Sequence, residues 1–196
     1  MTPEDVPPYR LLLPTGWVER PADRESIRLL MERTSEVFRS QHRPDLDSQM
    51  RSILEQAYRK MQQGRVFALY LQEDVAAEDV LPMSITAALI SGQLGGTLDR
   101  QVAALFRDRA ADFLGEDRQI VRWQADTAGE GEFAGSTARV VNYLIPVPGT
   151  GRRTALAFTT TIPAPATRDD EDDEFIEQLT MLSDTLLSTF AWEAAA

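Results

Sequence analysis

Two long β-forming runs, Ala138–Val147 and Arg152–Ile162, flank Pro148-Gly149-Thr150-Gly151, and no other feature constrains the fold as strongly. Proline presets a turn φ and glycine supplies positive φ, so the break reverses the chain. The runs on either side are rich in Val, Ile, Thr, Tyr and Phe and therefore pair as an antiparallel hairpin. Strands joined so tightly do not belong to a regular βαβ array.

The other elements group in blocks around this hairpin. Tyr9–Leu13 is a short apolar run closed by Pro14-Thr15-Gly16, and Trp17-Val18-Glu19 reads as its returning strand. A helix is predicted over Asp23–Arg39, capped by Asp23, with Ile27, Leu30, Met31, Thr34, Val37 and Phe38 on one face. A second covers Asp45–Met61, capped by Asp45, with Leu46, Met50, Ile53, Leu54, Ala57, Tyr58 and Met61 inward and Gly64 at the C′ position. Val66–Gln72 and Met83–Ile90 are strands. Thr97–Leu114 is a third helix, begun by Thr97, carrying Phe113 inward and ended by Gly115; Gln119–Ala125 is a strand and Glu171–Phe190 the last helix. This order implies one α+β domain over the whole chain: an antiparallel sheet of about six or seven strands with four helices packed on it, α/β/α sandwich-like.

Composition narrows the chemistry. With 196 residues, 43% of them hydrophobic, the chain is long enough to bury about 70% of its unfolded surface. It contains no cysteine, which removes disulfides, thiol nucleophiles and cysteine-ligated zinc or iron–sulfur centres. A net charge of −11 repels phosphate polyanions, so nucleic acid is not an expected partner. The opening Met1-Thr2-Pro3-Glu4-Asp5 is acidic and lacks the apolar region of a secretory leader. No apolar run reaches the ~18 residues of a membrane span, so a cytoplasmic address without membrane insertion is expected.

The candidate chemical motifs have simpler readings. His42, the one histidine, sits among Gln41, Arg43 and Pro44 between two helices, with no Gly-x-Ser-x-Gly turn to partner it; it reads as a loop residue. Gly92-Gln93-Leu94-Gly95-Gly96-Thr97 occupies the strand-to-helix position of a phosphate loop but lacks the Walker lysine and the dinucleotide spacing, so it reads as a tight connection. Gly129-Glu130-Gly131-Glu132-Phe133-Ala134-Gly135 carries two carboxylates and precedes a strand, which suits a loop. Asp169–Glu174 lacks the spacing and turn glycine of a calcium loop, whereas carboxylates in a first helical turn are favoured by the helix dipole. No cofactor, metal site or catalytic residue is expected. Trp17, Trp123 and Trp192 read as core, and Met31, Met50 and Met61 as packing residues.

Strand parity divides the sheet into two sets of side chains. One is large and apolar: Val121, Trp123 and Ala125 with Val141, Tyr143, Ile145, Leu156, Phe158, Thr160, Ile162, Ile85, Ala87 and Leu89. The other is smaller and more polar: Ile120, Arg122 and Gln124 with Val140, Asn142, Leu144, Ala155, Ala157, Thr159, Thr161, Ser84, Thr86 and Ala88. The first is expected to form the main core. The second has the mixture of a partner-binding face, which nominates Arg122, Gln124 and Asn142 as neighbours at a homodimer contact or partner site. A helix covering that face and pairing with Arg122 explains the same residues.

The segments Leu13-Pro14-Thr15-Gly16-Trp17 and Ala157-Phe158-Thr159-Thr160-Thr161, with the closing helix through Leu182, Leu186, Ser188, Thr189, Phe190 and Trp192, resemble the Mog1/PsbP-like α/β/α sandwich proteins. The likeness spans residues 9–20 and 80–192; the two-helix segment Pro21–Gly64 is longer than the family usually has there. The resemblance implies a non-catalytic protein-binding, adaptor or chaperone-like module, with no shared catalytic residues to carry over. The rival class is a small-molecule binder or hydrolase with a pocket between sheet and helices. Calcium or magnesium titrated calorimetrically is expected to show no site tighter than millimolar; a micromolar site lost in Asp170→Asn/Asp172→Asn would overturn the helix-cap reading of the acidic run.

Overall fold

A computed structural model of the chain describes residues 2–40, 44–76, 79–129 and 137–193; His42 and the stretch 130–136 lie outside them, as do the side chains of Thr34, Val37, Phe38, Leu46 and Met50. In chain order the elements are β1 (Tyr9–Arg10), β2 (Trp17–Pro21), α1 (Arg24–Ser40), α2 (Pro44–Gln63), β3 (Val66–Gln72), β4 (Ser84–Ser91), α3 (Asp99–Asp108), β5 (Asp112–Leu114), β6 (Ile120–Ala128), β7 (Thr137–Pro146), β8 (Thr154–Ala164), α4 (Asp170–Ser188) and β9 (Ala191–Trp192). Seven strands form one antiparallel sheet in the order β2-β3-β4-β8-β7-β6-β5, while β1 and β9 form a separate two-stranded ladder. The α+β class is therefore what the chain adopts.

Local signals explain most boundaries. Asp23 caps α1 by accepting the Ser26 N–H at 2.8 Å. Asp169 and Asp172 form a reciprocal capping box at α4, and Asp170, Glu171, Asp172 and Asp173 fill its first turn, where the helix dipole favours them. The β7–β8 hairpin closes as expected, with the Val147 N–H donating to the Thr154 carbonyl at 2.9 Å.

Four expectations need correction. The Pro14–Trp17 turn forms, with Gly16 at φ 84° and the Trp17 N–H on the Pro14 carbonyl, but it does not join two paired strands. β2 pairs with β3, and β1 pairs with β9. The third helix is shorter than predicted: it stops at Asp108, Ala110 turns the chain at φ 49°, and Phe113 belongs to β5, paired with Val121. Its cap residue is Leu98, not Thr97, with no side-chain cap bond; the Leu98 N–H bonds the Arg152 carbonyl instead. After α2 the left-handed residue is Arg65, at φ 56°, one place beyond Gly64.

The helices lie on both faces of the sheet. On one face α4 buries Ile176, Leu179, Leu186 and Leu187 against Ile85, Ala87, Leu89, Val141, Tyr143, Ile145, Leu156, Phe158 and Ile162. Each fully buried side chain of this kind contributes about 1.5–3 kcal/mol. Beside α4, the β1–β9 ladder seals the same core: the Tyr9 ring stacks on Phe190 and meets Phe158 and Trp192 edge-on, and its hydroxyl bonds that of Tyr70 at 2.8 Å. Burial pushes the Tyr9 phenol up to about 12. Trp17 lies in this core, as read from the sequence. On the opposite face α1 and α2 pack Ile27, Met31, Tyr58 and Met61 on Leu69 and Leu71, while α3 sets Leu98, Val102 and Leu105 against Val121, Leu144, Ala155 and Ala157.

Leu187→Ala, at the centre of the larger core, is expected to lower unfolding free energy by about 2–5 kcal/mol. Met181→Ala, on the outer side of the same helix, is expected to change it by no more than about 0.5 kcal/mol. Urea titration of both variants checks the pair.

Candidate functional site

The register of β6 on β7 decides which side chains share a face. Arg122 lies opposite Tyr143, and Trp123 opposite Asn142; β8 continues these rows with Phe158 and Thr159. Since cross-strand partners point the same way, Arg122 and Gln124 lie on the α4 side, and Trp123, Ala125 and Asn142 lie on the other. The expected grouping of Arg122, Gln124 and Asn142 is thus broken: the first two meet, and Asn142 is on the reverse of the sheet. The parity expected for β6 is inverted, with Ile120 in the main core and Val121 and Trp123 in the smaller one.

Arg122 and Gln124 are held from within. The Arg122 guanidinium donates through Nε to Asp184 Oδ1 at 2.9 Å and through Nη2 to Gln124 Oε1 at 2.6 Å. Asp184 also accepts the Tyr143 hydroxyl at 2.7 Å, and Ser183, the residue before it, bonds both Tyr143 and Thr160. Burial holds the Tyr143 phenol far above its ordinary value, so it remains a neutral donor. A helix does pair with Arg122, but it is α4, which covers the main-core face and not the face that carries Asn142.

Further along the same face Arg139 bonds both Asp126 and Glu177, and Arg168 bonds Asp126 at 2.7 Å. The Arg139 and Arg168 guanidiniums hold the Asp126 carboxyl below its ordinary value of 3.8.

The reverse face carries a different surface. Between the part covered by α1 and α2 and the part covered by α3 runs a strip of Ser84, Thr86, Ala88, Trp123, Ala125, Val140, Asn142, Thr159 and Thr161. Ser84 is exposed and the others half-buried, whereas their neighbours Ile85, Ala87, Val141, Tyr143, Phe158 and Thr160 on the α4 side are buried. None of the strip is ionisable, in a chain of which 26% of residues are charged. Within it the Thr159 hydroxyl donates to Asn142 Oδ1 at 3.1 Å, and the Thr86 hydroxyl to the Thr159 carbonyl at 3.3 Å. The Asn142 amide N–H groups donate to nothing among the described residues. Asn142 is therefore the one nominated residue that sits on an open face. Trp123 is the residue the sequence reading missed there, because its size argued for the core.

The other motifs resolve as structure. In the glycine loop, a Cβ on Gly92 would lie 2.0 Å from the Gly96 carbonyl oxygen, and the Gly92 N–H donates to the Arg153 carbonyl, so the backbone donors at the start of α3 serve the neighbouring hairpin. Among the described residues no group of three or more His, Asp or Glu is placed to hold a metal ion. No described helix is long and apolar enough to cross a membrane. A cleft of about 220 Å³ lies at the end of α4, lined by Leu114, Glu116, Asp117, Ile120, Ile145 and Phe190 among others.

Comparison with protein-family models, with curated proteins and with solved structures found no match to this chain.

Arg122→Glu is expected to destabilise the fold by about 1–3 kcal/mol, since it replaces a charge-assisted bond by two facing carboxylates. Adding Asp184→Arg is expected to recover part of that loss in a double-mutant cycle. A charge reversal at Arg122 that leaves the melting temperature unchanged would show the pair to be unimportant.

Proposed function

We propose that this chain is a non-catalytic, cytoplasmic protein-binding or adaptor module, chaperone-like in the sense implied by the Mog1/PsbP-like resemblance, and that its partner docks on the strip around Trp123, Asn142 and Thr159. The observation that carries this reading is the strip itself: a largely half-buried sheet surface of uncharged side chains, with an indole at one side and, near its centre, amide donors that meet no acceptor among the described residues. Partner-binding cores combine depletion of charge, aromatic anchors and hydrogen-bonding groups in this way. Small side chains at Ala88, Ala125 and Thr161 let a partner's backbone or side chains approach the sheet closely.

The rival reading, a small-molecule binder or hydrolase, has less support. The cleft at the end of α4, about 220 Å³, is smaller than the ~300–1,000 Å³ of ordinary ligand pockets. The polar side chains beneath α4 are committed to one another: buried Tyr143, Ser183 and Thr160 and half-buried Asp184 form a connected set of hydrogen bonds that ends on Arg122. A nucleophile with a free general base is not assembled among them.

Affinity capture from the native host's extract tests the proposal. The wild-type chain is expected to retain a specific protein that Thr161→Arg and Asn142→Arg lose, with melting temperatures within a few degrees of wild type. Met181→Arg, on the outer side of α4, is expected to retain it. Undiminished capture by both strip variants would remove the strip as the docking face.

A further inference from the structure

The sheet ends on one side in an incomplete pairing. β6 runs over nine residues, Ile120–Ala128, and pairs with β7 from Val121 to Ala128, but β5 pairs only with Ile120, Val121 and Arg122. From Trp123 to Ala128 the outward backbone groups of β6 have no backbone partner among the described residues. An unpaired edge of this kind is a template for another strand, and native proteins usually blunt it with charge, proline or short length. β2, at the other side of the sheet, carries Glu19, Arg20 and Pro21. The exposed part of β6 carries one charge, Asp126, which is partly offset by Arg139 and Arg168, two cations shared with Glu177 and Asp173.

We propose that this edge pairs with the same edge of a second copy, forming a two-fold dimer through a continuous antiparallel sheet. The register follows from the residues. With the two-fold axis normal to the sheet, opposed residues point to the same face, so the possible registers differ by two positions. Centred on Ala125, the segment Trp123–Thr127 of one copy meets the same segment reversed: Trp123 opposes Thr127, Gln124 opposes Asp126, and Ala125 opposes its own mate. Centring on Asp126 sets two carboxylates face to face. Centring on Gln124 shortens the overlap to Trp123–Ala125, because β5 occupies the edge up to Arg122. The Ala125 register is the longest one without like charges opposed, and it converts the Gln124–Asp126 contact into two symmetric amide–carboxylate pairs. The dimer uses the edge of the sheet and does not depend on what docks on its open face.

The chain has no cysteine, so single substitutions report this contact alone. At about 0.15 M salt, where repulsion between two chains of −11 is screened over roughly 8 Å, light scattering is expected to show a concentration-dependent dimer. Under mild oxidation Ala125→Cys is expected to link as a disulfide dimer, since directly opposed residues lie within disulfide reach; Gln124→Cys, whose opposite residue is Asp126, is expected to link at least about tenfold more slowly. Gln124→Lys is expected to tighten the dimer and Gln124→Glu to weaken it. A chain monomeric at every concentration overturns the proposal. So does a dimer in which Ala125→Cys links no faster than Thr161→Cys on the open face. Pairing of this edge with an extended peptide from another protein, in place of a second copy, overturns it as well.

Discussion

The hydroxyl of Tyr143 is fully enclosed between sheet and helix, and most of the site geometry follows from satisfying it. A buried phenol without a partner costs on the order of 1–3 kcal/mol. Ser183 and Asp184 supply the partners from adjacent positions of α4, and Thr160 completes the set from β8. Those bonds fix the rotation of α4 about its axis as well as its height over the sheet. Once Asp184 is fixed, its carboxylate needs a cation at the sheet margin, and Arg122 is the side chain in reach. The parity of β6 is thereby set, and with it the identity of every residue it presents on the other face.

The two faces of the sheet consequently differ in kind. The α4 face is dry over its centre and polar at its margin, where Arg122, Arg139 and Arg168 are each engaged by carboxylates. Among the described residues, the opposite face is covered at its two ends and open between them. A carboxylate or guanidinium on that open strip would have been solvated and would resist burial by a partner; small neutral side chains do not. Charge has been spent on holding the fold together on one side and withheld on the other.

The sequence made some of this legible and concealed the rest for identifiable reasons. The β7–β8 hairpin, α1, α2 and α4 follow from local periodicity and turn chemistry, which need no knowledge of distant residues. The parity of β6 does not. Ile120 and Val121 are both apolar and adjacent, so either could lead into the core, and Trp123 outweighed Arg122 on size. What decides between them is Asp184, about sixty positions later and on another element. The end of α3 was concealed because Phe113 and Leu114 continue its apolar spacing, while the break falls at Ala110, a residue with no turn signature. The Pro14–Gly16 turn was read correctly as a turn and wrongly as a hairpin: reversal is local, but the choice of pairing partner is made by packing across the whole chain. Of the nominated residues, only Asn142 lies on the open face, because β7 parity was readable from the alternation of Val141, Tyr143 and Ile145 with smaller neighbours.

The ladder between β1 and β9 has a kinetic meaning. Tyr9 pairs with Trp192 and Arg10 with Ala191, contacts that join opposite ends of the described chain. Loop-closure entropy and topology both place such contacts late in folding. During synthesis β1 emerges well before β9 and cannot pair until β9 has been made. Until that moment Phe158, Phe190 and Tyr70 lack the Tyr9 ring that seals them, and the larger core is open along one flank. Closure of this ladder is therefore expected late in folding, and it is the step that brings the Tyr9 ring onto Phe158 and Phe190.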